Sequence, residues 1–295
     1  MGTHPPAAPR CATPATARAP ARSATTVIYR IGMPPQPRLT DVLHPPSPGE
    51  RQPLPPGQLV RPRDSDRPVL WLSDGPTAVG LWASLRAEHA ATGLWPLLIT
   101  GDGWAEGGLR LDINTSPDDH DPAAVLALWW ADHTQPDDED EDEITAPYGS
   151  RWPGLAPPGR AHPSAHLDQI AGECAHLIAR ESTRIGLVPA PRGADALTAL
   201  GWLGPANLID DVAPISAVVR TWEDRFGARV LGIGPDTLDL SVAAPPLDLD
   251  HALRVAAEHF AFCPDNIWQG NPRADTLAAY AESILAVNHW SFWWD

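Results

Sequence analysis

The residues best suited to chemistry lie in one stretch near the C-terminus, HFAFCPDNIWQG at 259–270. His259 and Cys263 are one helical turn apart, and Asp265 follows just beyond Pro264. Imidazole, thiol and carboxylate are the groups of a nucleophilic site or of an incomplete metal site. The placement of the thiol argues against the first. Pro264 ends the helix, so Cys263 sits at its partially negative C-terminal end, where a thiolate is disfavoured. Cysteine is also among the residues most often simply buried. Packing is therefore the expected role of Cys263. Asp265 is expected to accept N–H bonds in the turn after the proline. A concave pocket joining His259, Cys263 and Asp265 to Trp268 and Gln269 would instead point to an enzyme of unassigned class. Trp268, Gln269 and, at the chain end, Trp293 are the binding candidates.

The other chemical motifs are weak. GDGW at 101–104 follows a strand-like run but lacks the GxGxxG spacing, so a tight turn is the expectation. His162 and His166 are four apart and Glu173 and His176 three apart, yet Pro163 and Ser164 separate His162 from the following helix, and HExxH is absent. The run DDEDEDE at 137–143 lacks the EF-hand register with its central glycine and reads as a solvated surface loop. The chain has no lysine, which excludes a lysine Schiff base, a Walker-A lysine or a lysine base. No metal and no cofactor are expected.

Charge narrows the partners. The formal net charge is −16, unevenly placed: residues 1–63 carry eight arginines against Asp41 and Glu50. The remaining body is therefore strongly acidic, a poor general binder of nucleic acid or anionic membrane and a fit for a basic protein partner. Cys11, Cys174 and Cys263 are too scattered for a disulfide framework. There is no apolar run long enough to span a bilayer and no hydrophobic signal region, so a cytoplasmic protein is expected.

Elements must position these groups. Residues 1–60, rich in Pro, Ala and Arg, are expected to be a disordered tail; Met33, the only internal methionine, gives an alternative start that would omit residues 1–32. Residues 68–180 read as an N-terminal α/β region: a strand at 69–72, a helix to about 91 with Val79, Trp82 and Leu85 on its stripe, and a strand at 95–100 after Gly93. A third strand is expected at 107–113. Asp121–Pro122 is a helix start. Ser164 is expected to cap a helix whose core face carries Leu167, Ile170, Cys174 and Leu177.

Residues 185–295 form the more regular part, with a strand at 185–190 and a helix at 194–200. A second helix from Pro214 to Gly227 buries Ile215, Val218, Trp222 and Phe226. A hairpin over 228–243 turns at Pro235–Asp236, and a helix runs from Asp248 to Cys263. The last helix carries Leu277, Tyr280, Ile284 and Val287. The final strand has Trp290, Phe292 and Trp294 on one face and His289, Ser291 and Trp293 on the other; with aromatics on both, it is expected to be buried in the sheet. The fold class is α+β, a mixed β-sheet covered by helices.

Several spaced stretches carry a resemblance: LGW (200–202), WEDRFGARVLGIGPDTLDL (222–240), PP (245–246), EHFAFCPDNIWQG (258–270) and FWWD (292–295). Together they resemble the uncharacterised bacterial family called domain of unknown function 4253 (DUF 4253) over residues 185–295. GLWPLL at 93–98 is similar to longer members. The resemblance implies no activity and no catalytic residues. With no catalytic motif, an acidic body and 13 tryptophans, a residue enriched at binding hot spots, the expectation is a non-catalytic binding or interaction protein. Toxin neutralisation is one role compatible with that charge.

Overall fold

The computed structural model describes residues 39, 53–78, 80–102, 104, 109–111, 115–135, 143–206, 209–270 and 273–295. Seven strands form one mixed sheet: β1 (Gly57–Val60), β2 (Leu70–Ser73), β3 (Leu94–Ile99), β4 (Arg184–Pro189), β5 (Ala228–Ile233), β6 (Thr237–Val242) and β7 (His289–Trp293). Their spatial order is β1-β2-β4-β3-β5-β6-β7. Every neighbouring pair is antiparallel except β3 and β5, which run parallel through Leu98↔Gly232 and Ile99↔Ile233. Gly232 is required at that junction, because a Cβ there would lie 2.6 Å from the Leu98 carbonyl oxygen. β3 therefore sits between β4 and β5, so a single sheet runs through both the N-terminal and the C-terminal regions.

Period-two alternation sends side chains to two cores on opposite faces of the sheet. Trp95, Leu97 and Ile99 of β3 join Leu238, Leu240, Trp290, Phe292 and Trp294 in the larger core. Their cover is α2 (Pro122–His133), α4 (Gly193–Leu200), α5 (Ala213–Phe226), α6 (Leu249–Phe262) and α7 (Leu277–Ser283). Leu94 and Leu98 face the other way, with Trp71, Ile185 and Leu187, beneath α1 (Leu81–Thr92) and α3 (Ser164–Ile178).

Most helix boundaries follow local chemistry. Asp121 accepts from the Ala123 amide ahead of Pro122, and Gly93, Gly201 and Gly227 end their helices in the left-handed conformation. Asp248 caps α6 through the His251 amide. The expected cap at Ser164 is corrected. Pro163 holds the N-cap position, its fixed φ of −60° already suited to the entry, and Ser164 is the first helical residue. Leu177 is corrected too: it is 73% exposed, while Ala171, Cys174, Ala175 and Ile178 carry the packed face. The last helix ends at Ser283, short of the predicted Val287, and Ala286 takes a positive φ of 55° in the turn that follows.

The predicted tail boundary moves back as well. β1 pairs along β2 within residues 57–60, and Leu39 is buried among the smaller core; the rest of residues 1–52 lies outside the described residues. So do Val79, most of the predicted strand at 107–113, and residues 137–142 of the acidic run. Leu109 makes an isolated antiparallel bridge to Trp202. Glu143, which closes the run, is exposed.

The C-terminal strand occupies the sheet's edge rather than its interior. One face is sealed, with Trp290, Phe292 and Trp294 at most 2% exposed. The other is half open, with Ser291 exposed and His289 and Trp293 partly so. What covers its outer edge is a set of side chains from the 263–266 turn. The Asn266 amide donates to the Ser291 carbonyl at 2.9 Å and accepts from the Trp293 N–H at 3.2 Å. One side chain thereby stands in for a neighbouring strand, satisfying polar groups that an edge would leave open.

Candidate functional site

His259 is carried by the inner face of α6 and has no exposed surface. Its ring meets Trp290, Phe292 and Trp222 edge-on, with centroids 4.4, 4.9 and 5.1 Å away. The Asn266 amide donates to the Tyr280 hydroxyl oxygen at 3.3 Å, leaving the hydroxyl hydrogen for His259 Nδ1 at 3.1 Å. His259 Nε2 is buried without a hydrogen-bond partner among the described residues. Desolvation, reinforced by the Arg225 charge, pushes the imidazole pKa down to about 3. At neutral pH this ring is uncharged and has no path to solvent.

Cys263 does not reach His259. Its thiol donates to the Trp293 carbonyl at 3.0 Å, and burial pushes its pKa far up, which disfavours the thiolate. Asp265 accepts from the Gln269 side-chain amide and from the Asp295 backbone, both at 3.1 Å. The three chemical candidates are thus neighbours in a bracket that fastens the C-terminal strand to the end of α6, with Asp265 7% exposed and the other two fully enclosed. They share a region, and among the described residues the cavities near α1, α2 and α3 are lined by none of the three.

The binding candidates separate. Trp293 donates its indole N–H to Asp236 at 3.3 Å. Gln269 is exposed beside Asp265. Trp268 is 41% exposed and stacks edge-on against Phe260 and, at 5.6 Å, against His133 at the end of α2.

His133 leads to a feature that sequence reasoning missed. A cavity of about 310 Å³ opens where α2, α5 and α6 meet the chain end, with Trp129, Phe262, Trp294 and Ile209 among its walls and Asp132 and His133 its ionisable groups. Burial is the main cause that lowers the His133 pKa, outweighing the opposing influence of Asp132, the nearby Ala261 carbonyl and Asp265. The ring is therefore held neutral at the wall. Asp132 is exposed and makes no ion pair among the described residues. The available signal was WWADH at 129–133, an aromatic pair, an acid and a histidine directly ahead of the acidic run.

The polar side chains of WEDRFG (222–227) and their partners form locks. Glu258, wholly buried, accepts from both terminal nitrogens of Arg225 at 2.8 and 2.6 Å, from the Trp222 indole at 2.7 Å and from the Ala156 amide. A buried carboxylate tolerates this position only because its acceptor sites are filled and its charge is paired. Glu223 pairs with Arg192 and accepts from the Ala194 amide at the start of α4, while Arg192 also reaches Asp224. Among the described residues no group of three His, Cys, Asp or Glu side chains comes together to hold a metal. No described helix is long and apolar enough to cross a membrane.

The fold is a helix-covered mixed sheet, and the Arg225–Glu258 and Arg192–Glu223 pairs tie together elements of its C-terminal part. Residues 184–295 match the family model described as Domain of unknown function (DUF4253), the family that the FCPD and FWWD stretches resemble. No curated protein and no solved structure matches the chain.

Proposed function

We propose that the protein is a non-catalytic binding protein of the cytoplasm whose partner is a basic protein, a basic toxin being one such partner. One contrast supports this reading. His259, Cys263 and Asp265, the groups a nucleophilic site would use, are enclosed and packed against the chain end, whereas the accessible surface at the end of α2 sets Trp129 and Asp132 at an open cavity with Trp268 beside it. An exposed tryptophan beside a concave aromatic wall is the composition of a binding hot spot, and the surrounding negative charge favours a basic partner.

The test is capture of basic proteins from the native host on immobilised full-length chain, comparing wild type with Trp268→Ala and Asp132→Asn. The wild type should retain a basic protein, less so as salt rises from about 50 to 200 mM, as screening requires. The variants should retain at least about tenfold less while keeping a native circular dichroism spectrum, the scale of a single hot-spot residue. Equal retention by all three proteins would overturn the reading. So would a catalytic turnover abolished by His259→Ala in folded protein, which would establish the enzyme instead.

A further inference from the structure

The cavity at the end of α2 has a chemistry that selects one kind of ligand. Resting on the binding reading above, we propose that it receives the guanidinium of an arginine side chain presented by the protein partner. Its volume of about 310 Å³ lies at the small end of ligand pockets, which run from roughly 300 to 1,000 Å³. That is room for a side chain rather than an extended ligand.

Three aromatic side chains line it, the half-buried Trp129 and the nearly buried edges of Phe262 and Trp294, together with Pro205, Ile209, Ile215 and Ala261. Such walls accept an alkyl stem, and their rings attract a cation. The one carboxylate, Asp132, has no ion-pair partner among the described residues, and no arginine lines the cavity. An anionic ligand would meet that carboxylate with no cationic side chain among the described lining residues to offset it. His133 does not repel a cation, since burial holds its ring neutral.

Among cations, guanidinium fits better than ammonium. It is flat, more weakly hydrated, stacks on aromatic rings and can present two N–H groups to one carboxylate. Trp268, packed on His133 and 41% exposed, supplies adjoining apolar surface for the residues that flank the arginine.

The probes are an acetylated, amidated Gly-Arg-Gly peptide and its citrulline counterpart, which keeps the shape and removes the charge. Titration by calorimetry or ligand-observed NMR reads their affinity for the full-length chain. The arginine peptide should bind about tenfold or more tightly than citrulline, the scale of a desolvated cation–aromatic contact. Ile209→Trp, which fills the cavity from a partly exposed wall position, should abolish binding. Asp132→Asn, a surface change that leaves the core untouched, should weaken it about fivefold and flatten its salt dependence.

Equal binding of the two peptides would overturn the proposal, as would no binding of the arginine peptide or undiminished binding by folded Ile209→Trp. If the filled variant does not fold, unchanged affinity and salt dependence in Asp132→Asn overturn it alone. The two readings fail separately. Trp268-dependent capture without arginine-peptide binding removes only the guanidinium site. Arginine-peptide binding alongside capture indifferent to Trp268 and Asp132 removes the proposed docking face and leaves the site.

Discussion

Two histidines packed on aromatic rings, His259 inside the larger core and His133 at its margin against Phe260, show what burial does to one side chain in two settings. His259 is sealed behind Trp222, Trp290 and Phe292, its ring nitrogen tied to a tyrosine. His133 lines a cavity open to solvent, with a carboxylate beside it. Burial lowers the pKa of both, so the electrostatic perturbation alone does not distinguish a site from a core. Access does. A perturbed group marks a functional position only when a ligand can reach it, and the strongly perturbed His259 is fully buried.

The harshest way to break the comparison is to remove the seal. Truncation after Val287 deletes β7, and with it Trp290, Phe292 and Trp294, each at most 2% exposed. Large-to-small loss of a buried aromatic costs about 3–5 kcal/mol, against about 5–15 kcal/mol for whole-domain stability. Circular dichroism should show loss of the cooperative melt. A native melting curve would mean that the strand is dispensable and that His259 is not sealed by it.

The next effect is on acid stability. The folded pKa of His259, about 3, lies below the unfolded value of about 6.5. The unfolded chain therefore binds the proton first, and unfolding takes up a proton between those two values. The neutral ring is compatible with full stability above about pH 6.5. Stability then falls by up to about 1.4 kcal/mol per pH unit toward pH 3. His89 and His133, whose pKa values burial also lowers, add to the same limb. His259→Phe should flatten the decline of melting temperature over this window, and His133→Phe should flatten it less. A larger effect at His133 would reverse the comparison.

The smallest expected effect is at the thiol. Cys263→Ala removes one buried hydrogen bond to Trp293 and a little packing, about 1 kcal/mol of stability. Partner binding should be retained. Chemical denaturation measures the first and the capture assay the second. Loss of binding in a folded Cys263→Ala protein would move the functional site into the bracket.

The sequence was informative wherever one short segment decides the outcome. Asp121–Pro122 and Gly227 announce helix ends because capping is local. The Pro235–Asp236 turn and the aromatic alternation of 290–294 are likewise settled within a few residues. Cys263 was legible as a packed thiol from its place at a helix end. The cavity was not legible, because its walls come from residues 129–133, 209, 262 and 294, which no periodicity links. The edge position of β7 was hidden for a related reason. Aromatics on both faces suggest a buried strand without saying where in the sheet it lies, and only the three-dimensional placement of Asn266 shows a side chain standing in for a neighbour.

The slot held by β3 has a consequence for modularity. The family-matched segment begins at residue 184, yet the strand that joins its first strand, β4, to its second, β5, comes from residues 94–99. Excised, that segment would be a sheet with a missing slat: two open backbone edges facing each other, and a core stripped of Trp95, Leu97 and Ile99. In this chain the stretch that bears the family's signature is consequently a portion of a folding unit, one that depends on a strand made some ninety residues earlier in the chain.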